Sequence, residues 1–345
     1  MSSPISVYII NYNGADVILD TIRSLKEQDY PSLSITLLDD GSNDNGISLV
    51  QKYFPDVEII GLGYNSGFPN ILRKKAIDMA KTRYVFVTDN DIVYEKNCLS
   101  NLIKSMQDNE NVGLCTPRLM YHNDRNKIYV CWTKFHYLCY SISPLRDTYT
   151  APEPSPIDTL GGGIMLIDKE KTKITGNIDD SYPMGWGEDA EIYARMKIAG
   201  FRTLYVPDTV GYHHAKEFVT KRTARPFGQA RNRWHMILSM YQIKTLLLIS
   251  PALFFYELVS TVMLIPKGMN FQYTKGVLCA LANIRTIWKK RKEIQQIRKI
   301  KDKDMLTTGP LSIPRAYLSN PIYRVGTSCL NWIFCFYWKV IRFFL

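Results

Sequence analysis

The chain has 345 residues, with 43 Lys and Arg against 32 Asp and Glu, a net charge of +11 and seven cysteines. That length leaves room for about two domains, and a composition of 46% apolar and 22% charged residues excludes a disordered chain. An odd number of cysteines with no Cys-x-x-Cys pair argues against a disulfide framework and a zinc site, and for a reducing compartment.

No basic leader precedes the first apolar run, so the N-terminal part is expected in the cytosol. Residues 5–10 (Ile-Ser-Val-Tyr-Ile-Ile) read as a strand, and Asn11-Tyr12-Asn13-Gly14 as a turn. Residues 16–28 place Val17, Ile18, Ile22 and Leu25 at helical spacing. A second strand over 34–38 ends in Asp39-Asp40-Gly41-Ser42. A third covers 57–61, followed by the loop Asn65-Ser66-Gly67-Phe68 and a helix over 71–80. Next comes the apolar run 84–87, which ends in Asp89-Asn90-Asp91 and reads as a fully buried strand of a parallel sheet. Strands alternating with helices predict an α/β fold of βαβ units.

Ligand sites in open α/β sheets lie beyond the carboxyl ends of the strands. Two strands here end in acid, at Asp39-Asp40 and at Asp89-Asp91, on what would be one edge. Such carboxylates can cap a turn, or hold a hard divalent cation that in turn binds phosphate. Neither Gly-x-Gly-x-x-Gly nor Gly-x-x-x-x-Gly-Lys is present, which argues against a dinucleotide or P-loop cradle. A metal on the acidic pair is then the available way to hold phosphate. Arg73, Lys74 and Lys75 either help or form a solvated helix face.

Further on, a helix is predicted over 99–106 and a strand over 112–116, while 119–157 is rich in aromatics and turn formers. Residues 158–168 read as a strand interrupted by Gly161-Gly162-Gly163, either a bulge or a close approach to a ligand. Trp186, between Gly185 and Gly187, suits a sugar or apolar ligand face. Glu188 and Asp189 open a helix running to about Ala199; acids there can also be plain capping. A strand over 202–206 precedes His213-His214, a metal or phosphate candidate. Lys216, Lys221, Arg222, Arg225, Arg231 and Arg233 then form a basic run that can clamp a diphosphate or be solvated.

In the last third, residues 245–266 carry one charge, Glu257, and one internal proline, Pro251. The run is long enough to span a bilayer, although Glu257 would be costly there unless paired. Two in-plane amphipathic helices broken near Pro251 fit as well. A basic stretch over 285–303 and an aromatic one over 331–345 suit an anchor on anionic lipid. No nucleic-acid motif accompanies them, so nucleic acid is not an expected partner.

Seven motifs occur in order: Asn11-Tyr12-Asn13, Asp39-Asp40-Gly41-Ser42, Asn65-Ser66-Gly67-Phe68, Asp89-Asn90-Asp91, Gly161-Gly162-Gly163, Gly187-Glu188-Asp189 and His213-His214. In this the chain resembles family 2 glycosyltransferases, inverting nucleotide-diphospho-sugar transferases of the GT-A fold, and looks closest to their rhamnosyltransferase-like branch. The resemblance covers about residues 4–240, and continues more weakly to about residue 305. It implies an α/β, Rossmann-like, mostly parallel sheet flanked by helices, with a C-terminal helical membrane-associated region. Residues 1–118 would form the nucleotide-sugar-binding half, 119–240 the acceptor-binding and catalytic half, and 241–345 the helical, basic and aromatic region.

The resemblance also implies roles. Tyr12 would pack on the base and Asp40 hydrogen-bond it, with Arg73 on the donor side. Asp89 would face the ribose or donor sugar. Asp91 would be the main ligand of Mg²⁺ or Mn²⁺, with Asp89 and His213 beside it. Asp189 would be the catalytic base, and Gly162, Gly163, Trp186 and Glu188 would face the acceptor. The expected reaction moves a sugar from a nucleotide-diphospho-sugar to a lipid-linked or oligosaccharide acceptor at the cytoplasmic face of the cell membrane. Transfer to polyprenyl phosphate, or a non-catalytic assembly subunit that binds nucleotide-sugars, are the alternatives. Two departures stand out. Pro69-Asn70-Ile71-Leu72-Arg73-Lys74-Lys75 replaces the small residues and the Asn or Arg-Asn that the family often carries after the Asn-x-Gly-Phe turn. Gln229-Ala230-Arg231-Asn232-Arg233-Trp234 has one residue more than the Gln-x-x-Arg-Trp of processive synthases.

Overall fold

The computed structural model describes residues 3–109, 111–150, 153, 155–215, 225–310 and 321–345. Lys216, Lys221 and Arg222 of the basic run lie outside the described residues. The strands begin with β1 (Ile5–Asn11), β2 (Leu33–Asp39), β3 (Glu58–Gly61), β4 (Tyr84–Asp89) and β5 (Ile92–Tyr94). They continue with β6 (Val112–Tyr121), β7 (Ile128–Val130), β8 (Lys134–His136), β9 (Ser141–Ile142) and β10 (Ile157–Asp158). Last come β11 (Met165–Asp168), β12 (Arg202–His213) and β13 (Leu306–Thr307). The helices are α1 (Ile18–Lys26), α2 (Gly46–Tyr53), α3 (Pro69–Met79), α4 (Cys98–Gln107), α5 (Lys169–Thr175) and α6 (Ala190–Ile198). They are followed by α7 (Arg225–Met240), α8 (Ile243–Leu264), α9 (Asn270–Ala282), α10 (Ile284–Gln296), α11 (Asp302–Met305) and α12 (Pro321–Ile341). Two compact units result. One holds residues 1–132, 145–184 and 188–220; the other holds 133–144, 185–187 and 221–345.

The first unit is a helix-flanked sheet in the order β10-β12-β6-β11-β4-β1-β2-β3, with β5 on β12 and β7 on β6. β1 runs parallel to β2 and to β4, with Asn11 opposite Asp39 and Ile10 opposite Asp89. The acidic ends of β2 and β4 therefore share one edge, as the sequence pattern requires. β1 is buried along its whole length. Its Ile5, Val7 and Ile9 join Ile18, Ile22 and Leu25 of α1 in one core cluster, each such side chain contributing roughly 1.5–3 kcal/mol. The sheet is parallel-dominated but mixed, because β11 lies antiparallel between β4 and β6. The three glycines do not bulge a single strand. They join two strands with different partners, β10 on β12 and β11 between β4 and β6. α2 has no counterpart in the elements read from the sequence.

The second unit combines the small sheet β13-β8-β9 with helices α7 to α12. α8 is one continuous helix through Pro251. Proline frees the carbonyl four residues back, here that of Leu247, which accepts the Ser250 hydroxyl at 2.9 Å. With that carbonyl satisfied and Pro251 facing outward, the helix does not break. Glu257 is paired: one carboxylate oxygen is bound by Arg233 of α7 and the other accepts the Tyr273 hydroxyl of α9 at 2.8 Å. Among the described residues, α8 is the one helix long and apolar enough to cross a membrane.

Candidate active site

The carboxyl edge of the first unit is built around Asn11. This buried side chain donates to Asp39 Oδ1 at 2.7 Å and to Ser42 Oγ at 3.1 Å, and accepts from Asn90 Nδ2 at 2.6 Å. One amide thereby ties the end of β2 to the turn after β4. Asp39 also caps the turn through Ser42 N and Oγ, so it is the structural acid of its pair. Asp40 receives the backbone N–H of Ser66 at 3.1 Å. Gly41 has φ +73°, and a Cβ there would lie 2.3 Å from the Tyr64 carbonyl carbon, so the turn needs glycine. Tyr12 is about half exposed at the same edge.

Arg73 projects from α3 and is buried. Its Nη2 lies 3.1 Å from Asp89 Oδ1. Burial works against its charge, but Asp89, Asp189 and Glu188 together raise its pKa above the ordinary value. Desolvation raises the Asp89 carboxyl, and Asp91 pushes the same way against the pull of Arg73 and His213. Lys74 does not share this role; it pairs with Asp78 along the helix surface. Gly163 borders the pair, since a Cβ on it would sit 3.6 Å from both Arg73 Nη2 and Asp89 Oδ2. At Gly162 a Cβ would come within 2.7 Å of Thr116 Oγ1. The glycine segment therefore lies against the acidic strand end.

Asp91 faces the other way. Its Oδ2 is 3.3 Å from His213 Nε2 at the end of β12, and its carbonyl accepts the His214 N–H at 2.9 Å. Among the described residues, the buried Asp91 Oδ1 and His213 Nδ1 have no hydrogen-bond partner. The His213 ring stacks on Tyr129 at 4.2 Å. Among the described residues no three His, Cys, Asp or Glu side chains converge as a closed metal cage. The Asp91–His213 pair nonetheless offers one oxygen and one nitrogen with an uncommitted buried carboxylate oxygen between strand ends. That donor set suits an open divalent site completed by phosphate or water.

Asp189 is the N-cap of α6, where its Oδ1 accepts the Ala190 N–H at 2.8 Å. The approach to it is held by a residue that the sequence reading passed over. Asn70, fully buried in the first turn of α3, donates to the carbonyls of Asp179 at 2.9 Å and Glu188 at 2.6 Å. Its Oδ1 accepts from Arg73 Nη1 at 3.4 Å. Behind it, the buried Glu191–Arg195 pair anchors the helix, and Arg195 also donates to the carbonyls of Thr175 and Asn177. Arg73, Asp89, Gly163 and the Asp189 segment thus meet in one place, with Asp91 and His213 adjacent.

Two residues singled out in the sequence belong to the second unit. The Trp186 indole N–H donates to Ser141 Oγ at 3.2 Å and its ring lies 6.3 Å from that of Phe135. Arg233 is buried beside Glu257, its Nε donating to the Leu138 carbonyl at 2.7 Å. This buried cation, paired through Nε and Nη1 with Nη2 left without a hydrogen-bond partner among the described residues, is part of a helix core, neither a solvated face nor a free diphosphate clamp.

Residues 6–171 match the family model described as Glycosyl transferase family 2. This stretch belongs to glycosyltransferase family 2. The chain is 31% identical over 107 residues to the putative teichuronic acid biosynthesis glycosyltransferase TuaG of Bacillus subtilis (strain 168), covering 30% of this chain and 42% of that protein. It is 29% identical over 222 residues to a poly-beta-1,6-N-acetyl-D-glucosamine synthase of Staphylococcus epidermidis, covering 60% of this chain and 51% of that protein. The chain spans about half the length of these curated relatives. A crystal structure of GalNAc-T7 with UDP, GalNAc and Mn²⁺ aligns over 70% of this chain and 48% of that one, with a TM-score of 0.57 and 15% identity, a likeness of fold. The acidic strand ends at Asp39 and Asp89 lie within the matched stretch, and Asp189 and His213 lie beyond it.

Proposed function

We propose that the protein is an inverting glycosyltransferase that moves a sugar from a nucleotide-diphospho-sugar to a lipid-linked saccharide at the cytoplasmic face of the cell membrane, in the synthesis of a cell-surface glycan. The observation that carries this reading is the convergence of Asp89–Arg73 and Asp91, in the family 2 stretch, with His213 and with Asp189 at the start of α6, both beyond that stretch. The names of the relatives, a teichuronic acid glycosyltransferase and a polysaccharide synthase, favour a surface glycan.

In this reading Tyr12 and Asp40 hold the base, and the Asp89–Arg73 pair orients the ribose and donor sugar. Asp91 and His213 would hold Mg²⁺ or Mn²⁺, which when bound would withdraw charge from the diphosphate leaving group. Asp189 Oδ1 is occupied by the Ala190 N–H, which leaves Oδ2 to take the proton of the acceptor hydroxyl as the new glycosidic bond forms. Inversion follows from a single displacement at the anomeric carbon, so no covalent nucleophile is required. Gly162, Gly163 and Glu188 would shape the acceptor side.

A thermal-shift screen of nucleotide-diphospho-sugars with Mg²⁺ or Mn²⁺ tests this, because a true donor stabilises the fold by mass action. One donor class should raise the melting temperature, and chelation should remove the effect. Asp91→Ala should abolish the metal-dependent shift. Asp189→Asn should keep it and lose at least about a hundredfold in transfer, the scale of general-base catalysis. No stabilisation by any nucleotide-sugar, or normal turnover in Asp189→Asn, would overturn the assignment.

A further inference from the structure

The second unit carries an unusual surface. α8 buries Ile249, Ala252 and Leu253 on one side, yet Leu247, Pro251, Phe254, Leu258 and Val262 form an exposed stripe at helical spacing on the other. α12 repeats this, burying Phe334, Trp338 and Ile341 and exposing Val325, Cys329, Trp332, Phe336 and Val340. The two helices touch: the Tyr337 hydroxyl of α12 donates to the Leu248 carbonyl of α8 at 2.6 Å, and the Phe255 and Phe334 rings lie 6.0 Å apart. Exposed apolar area on this scale marks an interaction site rather than ordinary surface.

Charge says what kind of partner fits. Between residues 270 and 305 there are ten Lys and Arg against three acids, and Lys275, Arg285, Lys289, Lys292 and Lys301 are exposed. Apolar stripes beside exposed cations complement an anionic lipid surface. The polar ties of α8 say how it would lie. Gln242 N donates to Asp302 at 2.6 Å just before the helix, Leu248 is held by Tyr337, and Glu257 is held by Arg233 of α7 and Tyr273 of α9. If α8 crossed the bilayer, Arg233 and its helix would be carried into hydrocarbon. At 1.5 Å per residue, α7 and α9 reach only about 24 Å and 20 Å, short of the ~30 Å hydrocarbon layer.

We infer that α8 and α12, flanked by the basic α9–α10 segment, form a monotopic platform that inserts in the plane of one anionic membrane leaflet, with no helix crossing it. This deepens the membrane association in the proposed function and rests on that part of it.

The test uses the full-length chain. It should cosediment with vesicles containing phosphatidylglycerol and bind phosphatidylcholine vesicles at least tenfold more weakly, given ~1 kcal/mol per basic residue at an anionic surface. Phe254→Glu/Leu258→Glu and Lys289→Glu/Lys292→Glu should each lower the partition at least tenfold, with unchanged circular dichroism. In sealed vesicles from expressing cells, Lys244→Cys and Pro266→Cys, at either end of α8, should react alike with an impermeant maleimide, both labelled or both protected. Opposite labelling would overturn the in-plane arrangement and leave membrane association standing. A chain that ignores every vesicle, or that light scattering shows paired through these stripes and therefore unable to bind vesicles, would overturn both while leaving the sugar-transfer reading to its own assay.

Discussion

Replacing Glu257 by leucine removes the partner of a buried cation. Arg233 is 5% exposed, and besides Glu257 its guanidinium meets the Leu138 carbonyl, the Tyr273 hydroxyl at 3.4 Å and the face of Tyr256 at 4.4 Å. None of these is an anion. Breaking a buried ion pair by removing one partner costs about 3–5 kcal/mol, because the remaining charge stays desolvated. Glu257→Leu should therefore lower stability of the second unit by about that much, a fall of roughly 10–20 °C in melting temperature at this size. Replacing both partners with apolar groups of similar volume removes both charges together. Arg233→Met/Glu257→Leu should recover most of the loss, to within about 1–2 kcal/mol of wild type, the residue being the orphaned Leu138 carbonyl. Urea unfolding of the wild type, both single variants and the double variant gives the coupling energy directly. A Glu257→Leu cost below about 1 kcal/mol, or a double variant no more stable than the single one, would show that Arg233 is not a buried charge dependent on Glu257. Glu257 would then not tie α8 to the buried cation of α7.

Two further perturbations probe other links. Asn70→Ala leaves the carbonyls of Asp179 and Glu188 without their donor, so it should cost about 2–3 kcal/mol and, by loosening the Asp189 segment, lower kcat tenfold to a hundredfold, the order expected for misplacement of a catalytic group. Donor KM should change far less, and a variant with wild-type kcat would sink the positioning role. His136 is fully buried, its Nδ1 accepting the Leu138 N–H at 3.1 Å, and burial, with Arg233, depresses its pKa to about 3. The unfolded chain takes up this proton near the model-peptide value of ~6.5, so the neutral-histidine stability is complete above that pH and is lost as pH falls from ~6.5 toward 3. At pH 4.5 the loss is about 3 kcal/mol. His136→Asn should shrink the difference in unfolding free energy between pH 7 and pH 4.5 by about that amount; an unchanged difference would count against it.

What the sequence shows of this molecule is what is local. Apolar runs ending in acid at Asp39 and Asp89 declare both their strands and their common edge, because a parallel pair must bring both carboxyl ends together. Asp189 is readable for a related reason: an acid at a helix start has a defined backbone partner. Direction is harder to read. β11 is a short apolar run buried on both faces, and such a run looks the same whether its neighbours run with it or against it. α2 is masked by Asn43-Asp44-Asn45-Gly46, a turn by composition, although Asp44 meets the N–H groups of Ala15 and Gly46. Asn70 is the instructive case. Its residue type carries no functional signal in a helix that begins Pro69-Asn70, and both carbonyls it binds lie more than a hundred positions away. The chemistry of the site is therefore written in single side chains at strand and helix ends, while its geometry is held by an amide whose partners only the fold supplies. That division also explains Arg233: a basic residue in a basic run looks like a phosphate ligand until the fold delivers Glu257 from 24 positions on, after which the same charge becomes a reason for α8 to stay with its unit.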